Sequence, residues 1–254
     1  MPQTTVPAQF NSVSLLMPFR NVLVSLLIAL SLVGGGFSWW AWWSEGRGGA
    51  PAVYVALGAS DAVGVGADVP EREGWAPLVH ASLPRGTQLL NLGISGATLG
   101  DVLRDELPPA LDARPRWVTL WPGVNDLRAG VALPVFAGQL DQALGQLTAP
   151  RAGSLAAPPV VLVLNIPDLR RLPAFAGIDP NILDTAVREW NAAIAASTQR
   201  HGVRLVDLYT HGPDLHAHPE YISADGFHPS SAGYRRIAEI AVDTLEHDVS
   251  SQTP

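Results

Sequence analysis

Three polar loops of the chain carry residue types that nucleophilic catalysis uses. Ser60 stands two residues after Gly58 at the end of an apolar run, and Asp225 stands three residues before His228. Asn125 lies in a third loop, within the sequence Gly-Val-Asn-Asp. A serine hydroxyl is a poor nucleophile at pH 7 unless a base such as histidine takes its proton. Each pattern alone is also typical of an ordinary turn or helix cap, so the positions of these loops in the fold decide what they indicate.

Five apolar runs of strand length lie along the chain, and a polar loop follows each of them. Several of the runs are continuous rather than alternating, which is typical of parallel strands covered on both faces. The runs are Val53–Leu57, Leu89–Leu92, Trp117–Trp121, Val160–Leu164 and Val203–Leu208. Helical patterns separate them, and this alternation predicts an α/β fold, a three-layer doubly wound sheet of five parallel strands. Such sheets bind ligands beyond the carboxyl ends of their strands, and the candidate loops all fall at that edge.

The helical patterns have recognisable faces and ends. Apolar residues spaced for one face form three sets: Phe136, Leu140, Leu144 and Leu147; Leu183, Val187, Trp190 and Ile194; and Tyr234, Ile237, Ala241 and Leu245. Asp179 is predicted to cap the second helix, with Pro180 at its first position. Ser230 and Ser231 are the candidate caps of the third helix. Thr98 is predicted to cap a short helix that ends before Pro108 and Pro109.

The N-terminal part of the chain differs in composition from the rest. Residues 21–43 contain no charged side chain, and at about 20 residues per bilayer crossing this segment predicts a transmembrane helix. It ends in tryptophans, which favour the membrane interface. A cleaved signal peptide with its apolar region at Val22–Val33 is the alternative. We therefore expect a membrane-anchored protein with an extracytoplasmic domain, or a secreted domain if the segment is cleaved.

These composition changes predict the domain organisation. The segments are an N-terminal tail at 1–20, the anchor or signal segment at 21–43, a flexible linker at 44–51, the folded domain at 52–248 and a C-terminal tail at 249–254. The linker assignment rests on its glycine content. The sequence does not decide the oligomeric state.

The overall composition excludes several kinds of chemistry. The chain has no Cys, which excludes disulfides, thiolate nucleophiles and cysteine-based metal sites. All 16 basic residues are Arg, so a catalytic or P-loop lysine is excluded as well. A net charge of −7 without a basic run argues against a nucleic-acid partner. Gly64-Val65-Gly66 lacks the third glycine of a dinucleotide fingerprint. We therefore expect no cofactor and no metal.

Four separated blocks between Val53 and Leu245 resemble, in order, those of the SGNH or GDSL hydrolase family (GDSL-like lipase/acylhydrolase). The blocks are Gly58-Ala59-Ser60 with Gly64, then Asn91-Leu92-Gly93, then Gly123-Val124-Asn125-Asp126, and last Asp225-Gly226-Phe227-His228-Pro229. The resemblance implies the flavodoxin-like SGNH hydrolase fold. One departure is visible: the family's Gly-Asp-Ser reads Gly-Ala-Ser here, and Asp61 follows the serine. The replaced aspartate is not a member of the family's catalytic triad.

The resemblance implies a role for one or two residues of each block. Ser60 is expected to be the nucleophile, His228 its base and Asp225 the acid that orients the imidazole. The N–H groups of Ser60 and Gly93 and the side-chain amide of Asn125 are expected to form the oxyanion hole.

Two other sites are alternatives within the same chain. Ser95, in Gly-Ile-Ser-Gly-Ala, is similar to a lipase nucleophile elbow that lacks its final glycine. His216 and His218, with Asp214 and Asp225 nearby in sequence, have residue types that suit a metal, although their spacing matches no recognised ligand pattern.

The sequence as a whole predicts a serine esterase or acylhydrolase that cleaves carboxylic esters through an acyl-enzyme. Esters of small molecules, lipids and glycans are the candidate substrates. An O-acetyl esterase or acyltransferase acting on cell-surface glycans is the second hypothesis, and a non-catalytic binding module is the third. The loop Ile166–Asp179 follows the fourth strand and contains several apolar residues. It is expected to line an acyl pocket or act as a lid, or alternatively to pack against a neighbouring helix.

Overall fold

The computed structural model describes residues 51–150 and 157–247, apart from the side chains of His216 and His247. The predicted N-terminal tail, the membrane or signal segment and nearly all of the linker lie outside these residues, as does the predicted C-terminal tail. Within the described ranges, no helix has the length and apolar character needed to cross a bilayer.

One parallel sheet of five strands forms the centre of the domain. Its strands are β1 (Val53–Gly58), β2 (Gln88–Asn91), β3 (Trp117–Trp121), β4 (Val160–Leu164) and β5 (Arg204–Val206). Their order across the sheet is β2-β1-β3-β4-β5, which confirms the predicted doubly wound fold. Strand β2 is added on one side of β1, and β3 to β5 are added on the other side. In such sheets the ligand crevice lies where the strand order reverses, here between β1 and β3.

Helices cover both faces of the sheet, as the alternating pattern predicts. They are α1 (Ser60–Val63), α2 (Pro70–Glu73), α3 (Trp75–Ser82), α4 (Leu99–Asp101), α5 (Leu107–Asp112), α6 (Val124–Arg128), α7 (Leu133–Thr148), α8 (Pro180–His201), α9 (Gly212–Ala217) and α10 (Ser231–His247). Buried side chains from α4, α5, α7 and α8 form the core on one face, and those from α3 and α10 form the core on the other. The three-layer architecture is therefore confirmed for the described residues.

The long helices begin where their caps are predicted. The Asp179 side chain accepts the N–H groups of Asn181 and Ile182 at the start of α8, and Pro180 occupies the first helical position. The Ser230 hydroxyl accepts the N–H of Gly233 at the start of α10. The predicted apolar faces of α7 and α8 are buried, so local periodicity here agrees with the packing.

The segment after Thr98 differs from its prediction. Thr98 does cap α4, through a reciprocal pair of bonds with Asp101. The helix does not end before the prolines, however, because a π-helical segment, Val102–Glu106, continues it into α5 as far as Asp112. The two prolines directly follow the π-helical segment, at the second and third positions of α5.

Candidate active site

The turn that carries Ser60 lies at the carboxyl end of β1. Gly58 ends the strand with φ +145°, and a Cβ at this position would lie 3.1 Å from the carbonyl oxygen of Trp121. Both the left-handed backbone and this close approach favour glycine. Ser60 is the first residue of α1. In the part of the chain that the structure describes, its N–H group has no hydrogen-bond partner.

Ser60, His228 and Asp225 form one continuous row of hydrogen bonds. The Nε2 atom of His228 lies 2.8 Å from Oγ of Ser60, and its Nδ1 atom lies 2.6 Å from Oδ2 of Asp225. Burial acts to raise the pKa of Asp225, but hydrogen bonds from His228, Phe227 and Ser223 outweigh it and hold this pKa well below its usual value. The carboxylate is therefore ionised at neutral pH and faces the imidazole.

The loop between Tyr221 and Ser230 holds His228 in place. The N–H of Ser223 donates to the His228 carbonyl at 2.8 Å, and the N–H of Ser230 donates to the Tyr221 carbonyl at 2.8 Å. The Phe227 ring packs edge-on against the imidazole, with 4.7 Å between ring centroids. These contacts close the loop as a short hairpin above Ser60.

The predicted oxyanion-hole residues differ in their present hydrogen bonds. One hydrogen of the Asn125 side-chain amide is used in a 3.0 Å bond to the Ala97 carbonyl, which leaves the second hydrogen of that NH₂ group for another acceptor. The N–H of Gly93 donates to Oδ1 of Asn91 over 3.2 Å. An oxyanion near Gly93 would therefore compete with the Asn91 side chain. Both assignments stay predictions.

Three carboxyl groups near the site have structural partners that the sequence motifs do not reveal. Asp126 accepts the N–H of Leu99 at 2.9 Å and so ties the start of α6, which carries Asn125, to α4. Burial raises the pKa of Asp126. Asp61 accepts the N–H groups of Ala59 and Ala62, and burial raises its pKa to about 6. Glu106 accepts the N–H of Gly58 at 2.9 Å. No local pattern singles out Glu106, because its contact is with a residue far away in sequence.

An open, mainly apolar cavity begins at Ser60 and His228. Its apolar lining includes Leu99, Val102, Leu169, Leu172, Leu208 and Phe227. The loop Ile166–Asp179 thus lines the cavity in its first half. In its second half, Phe175 packs against Phe227, in the loop that carries His228, with 6.0 Å between ring centroids. The start of the loop is tied to α8, because the N–H of Ile166 donates to Oδ1 of Asn191 at 2.9 Å and the Asn191 amide donates to the Ile166 carbonyl at 2.8 Å. Packing against a neighbouring helix is therefore confirmed, and a role in binding an acyl chain stays a prediction.

The alternative site residues have other surroundings. Ser95 is exposed in a turn, and His228 forms its serine contact with Ser60 instead. Asp214 pairs with Arg236 at 2.9 Å, and His218 pairs with Glu220 at 2.8 Å. Among the described residues, no group of three or more His, Asp or Glu side chains is arranged to hold a metal ion. The structure does not describe the side chain of His216.

Comparison with known proteins identifies the fold and the family. A sequence model of the GDSL-like lipase/acylhydrolase family matches residues 56–236. No curated protein matches the chain. Crystal structures with a similar fold include the lipase/acylhydrolase from Enterococcus faecalis, with 21% identity, a TM-score of 0.59 and coverage of 78% of this chain and 96% of that chain. The psychrotrophic esterase EstA from Pseudoalteromonas sp. has 19% identity, a TM-score of 0.59 and coverage of 78% and 98%. The acetyl xylan esterase Axe2 from Geobacillus stearothermophilus has 17% identity, a TM-score of 0.57 and coverage of 78% and 96%.

Proposed function

Because the chain belongs to the GDSL-like lipase/acylhydrolase family and is a hydrolase that acts on ester bonds, we propose that it cleaves carboxylic esters through an acyl-enzyme on Ser60. The observation that carries this proposal is the hydrogen-bonded row from Ser60 through His228 to Asp225. Such a row supplies the nucleophile with a base and the base with an orienting acid.

The proposed reaction has two halves. His228 Nε2 takes the Ser60 proton while Oγ attacks the ester carbonyl, and the resulting imidazolium is stabilised by Asp225. When the tetrahedral intermediate collapses, His228 gives that proton to the leaving alcohol and the acyl group stays on Ser60. A water molecule then loses a proton to His228 and attacks the acyl-enzyme, which releases the acid and restores the serine.

The negative charge of the tetrahedral intermediate requires hydrogen-bond donors. We propose the N–H of Ser60 and the side-chain amide of Asn125, with the N–H of Gly93 as the third donor. The absence of a described partner for the Ser60 N–H and the second amide hydrogen of Asn125 support the first two assignments. Donors held in place before the reaction lower its barrier without reorganisation.

Labelling with a fluorophosphonate tests the nucleophile directly. The full-length wild-type protein should be labelled, and Ser60→Ala should lose both the label and the turnover of p-nitrophenyl butyrate. Ser95→Ala is the matched control, because Ser95 is an exposed serine on a neighbouring loop and its replacement should change neither result. Labelling that persists in Ser60→Ala would reject Ser60 as the nucleophile.

The apolar lining of the cavity favours an ester with a hydrocarbon acyl chain. A p-nitrophenyl series from acetate to octanoate measures this preference. A maximum at acetate, together with release of acetate from acetylated sugars, would instead support the glycan O-acetyl esterase. Faster transfer of acetyl to a sugar than to water would support an acyltransferase.

We also propose that residues 21–43 anchor the protein in a membrane, with the hydrolase domain on the extracytoplasmic side. The support is the length of the uncharged segment and its terminal tryptophans. Protease added to spheroplasts should digest the domain if it is outside. Complete protection would reject this orientation.

A further inference from the structure

Glu106 is a buried carboxyl group that the proposed reaction does not use. The residue is 1% exposed, and its Oε2 atom accepts the N–H of Gly58 at 2.9 Å. The other oxygen, Oε1, is buried without a hydrogen-bond partner among the described residues. Buried polar atoms without partners are rare in folded proteins, so a carboxyl group of this kind beside a reactive serine requires an explanation.

The backbone that carries Glu106 is also unusual. Glu106 ends the π-helical segment Val102–Glu106, and π-helical turns are rare and frequently occur at functional sites. Within this segment, Arg104 and Asp105 form an ion pair at the surface. Glu106 instead turns towards the sheet, on the same buried side as Val102.

Glu106 is linked by short paths to both parts of the proposed site. Gly58, whose N–H it accepts, stands two residues before Ser60. The carbonyl of the same Gly58 accepts the N–H of Ile94 over 3.2 Å, and Ile94 directly follows Gly93. The Glu106 carboxyl therefore fixes the strand end on which the Ser60 turn and the Gly93 loop both depend.

The surroundings of Glu106 favour its neutral form. Burial is the largest effect and raises its pKa to about 7, and the charges of Asp61 and Asp105 act in the same direction. The N–H groups of Gly58 and Ile94 act against this shift. Asp61 faces Glu106 from the turn after β1, Asp105 lies beside it in the π-helical segment, and no basic side chain forms an ion pair with Glu106 in the described ranges.

We propose that Glu106 is a positioning residue for the Ser60 turn and that it fulfils this role as a neutral carboxylic acid. The inference rests on the proposed acyl-enzyme reaction. A neutral carboxyl accepts the Gly58 N–H without adding negative charge near the oxyanion, whereas an ionised one repels that oxyanion. This repulsion raises the barrier to formation of the oxyanion and so lowers kcat/KM.

The pH dependence of kcat/KM for a neutral ester tests the proposal in the full-length protein. With p-nitrophenyl butyrate, the wild type should lose activity on the alkaline side, with an apparent pKa of about 7. Glu106→Gln keeps an acceptor for the Gly58 N–H but cannot ionise, so the alkaline loss should disappear. Asp105→Asn is the matched control. It removes a carboxylate from the neighbouring exposed position and should keep the loss, displaced slightly to lower pH because the Asp105 charge helps to raise the pKa of Glu106.

Two results would overturn the proposal. One is a wild-type rate that stays level to about pH 9, which is measurable even if the variant does not fold. The other is an alkaline loss of the same size in a folded Glu106→Gln protein, which would assign the titration to another group such as Asp61. Failure of the acyl-enzyme reaction is distinguishable from both, because then neither ester turnover nor labelling of Ser60 occurs at any pH.

Discussion

Replacement of Asp225 by Asn should leave the His228 loop folded and remove most of the turnover. The Oδ1 atom of Asp225 accepts three hydrogen bonds, from the Ser223 hydroxyl at 2.7 Å, the Phe227 N–H at 2.8 Å and the His228 N–H at 2.9 Å. An asparagine carbonyl oxygen can accept all three. The substitution therefore changes mainly the atom that faces the imidazole, where Oδ2 now lies 2.6 Å from Nδ1.

The expected loss follows from the tautomer of His228. An amide NH₂ in place of Oδ2 is a donor, so Nδ1 must accept from it and the imidazole proton moves to Nε2. Nε2 then cannot take the Ser60 proton across their 2.8 Å contact. The corresponding change in serine proteases lowers kcat by about 10⁴-fold. The side chain of Asp225 is 43% exposed, and water screens the interaction of its charge with the imidazolium, so we expect a loss of roughly 10³-fold.

The assay is kcat for p-nitrophenyl butyrate, with the near-UV circular dichroism and the melting temperature of each protein measured alongside. Asp214→Asn is the matched control, because Asp214 also lines the cavity but pairs with Arg236 rather than with His228. Its kcat should remain within about 3-fold of the wild type. A well-folded Asp225→Asn protein that loses less than about 10-fold in kcat would refute the role of Asp225.

Three further changes test other parts of the site. Asn125→Ala should lower kcat by roughly 10²–10³-fold without unfolding the protein, and an unchanged kcat would remove Asn125 from the mechanism. Because the raised pKa of Glu106 favours its protonated form in the folded state, it stabilises the fold below about pH 4.5, and this stability is lost as the pH rises through about 7. Urea unfolding should show the wild type losing up to about 3 kcal/mol relative to Glu106→Gln between about pH 5 and 8.5, and parallel curves would contradict this assignment. Leu172→Trp should fill part of the cavity and lower the octanoate-to-acetate rate ratio by about 10-fold, whereas an unchanged ratio would place the acyl chain elsewhere.

The sheet and the long helices could be predicted because their signals are local. Continuous apolar runs such as Trp117–Trp121 are buried along their whole length, as parallel strands covered on both faces require. The predicted face of α7 is buried in the same way, and Phe136 on it packs against Trp190 of α8 with 4.5 Å between ring centroids. In both the strand and the helix, the spacing of apolar residues along the sequence matches the surfaces that are buried in the core.

The relative positions of the candidate residues follow from the sequence only through topology. Ser60 and His228 lie near opposite ends of the domain sequence. We expect them to be close in space because the carboxyl ends of parallel strands lie at the same edge of the sheet. This rule predicts that they meet, but it does not predict their 2.8 Å contact. That distance depends on the closed loop around His228 and on Phe227 packing against its ring.

The contact of Glu106 with Gly58 could not be predicted, because it depends on two features without a local signal. A π-helical segment is too rare to be expected from propensity, and the prolines after it favour a prediction in which the helix ends earlier. The partner of the side chain is a backbone group 48 residues away. Sequence periodicity predicts which side of a helix is apolar. Glu106 is a single carboxyl group buried on such a side, so the periodicity does not indicate it.

The chain has Gly-Ala-Ser where the family has Gly-Asp-Ser, and other carboxyl groups form hydrogen bonds to the backbone of this turn. The methyl group of Ala59, in place of the usual carboxylate, belongs to the apolar core. The carboxylate of Asp61 accepts the N–H groups of Ala59 and Ala62, and Glu106 accepts that of Gly58. Two carboxyl groups therefore bind backbone donors on both sides of Ser60. The Ser60 N–H itself has no partner within the described ranges, and it is one of the donors proposed for the oxyanion. The turn is thus held by its neighbours in a way that leaves the reacting residue's own donor available.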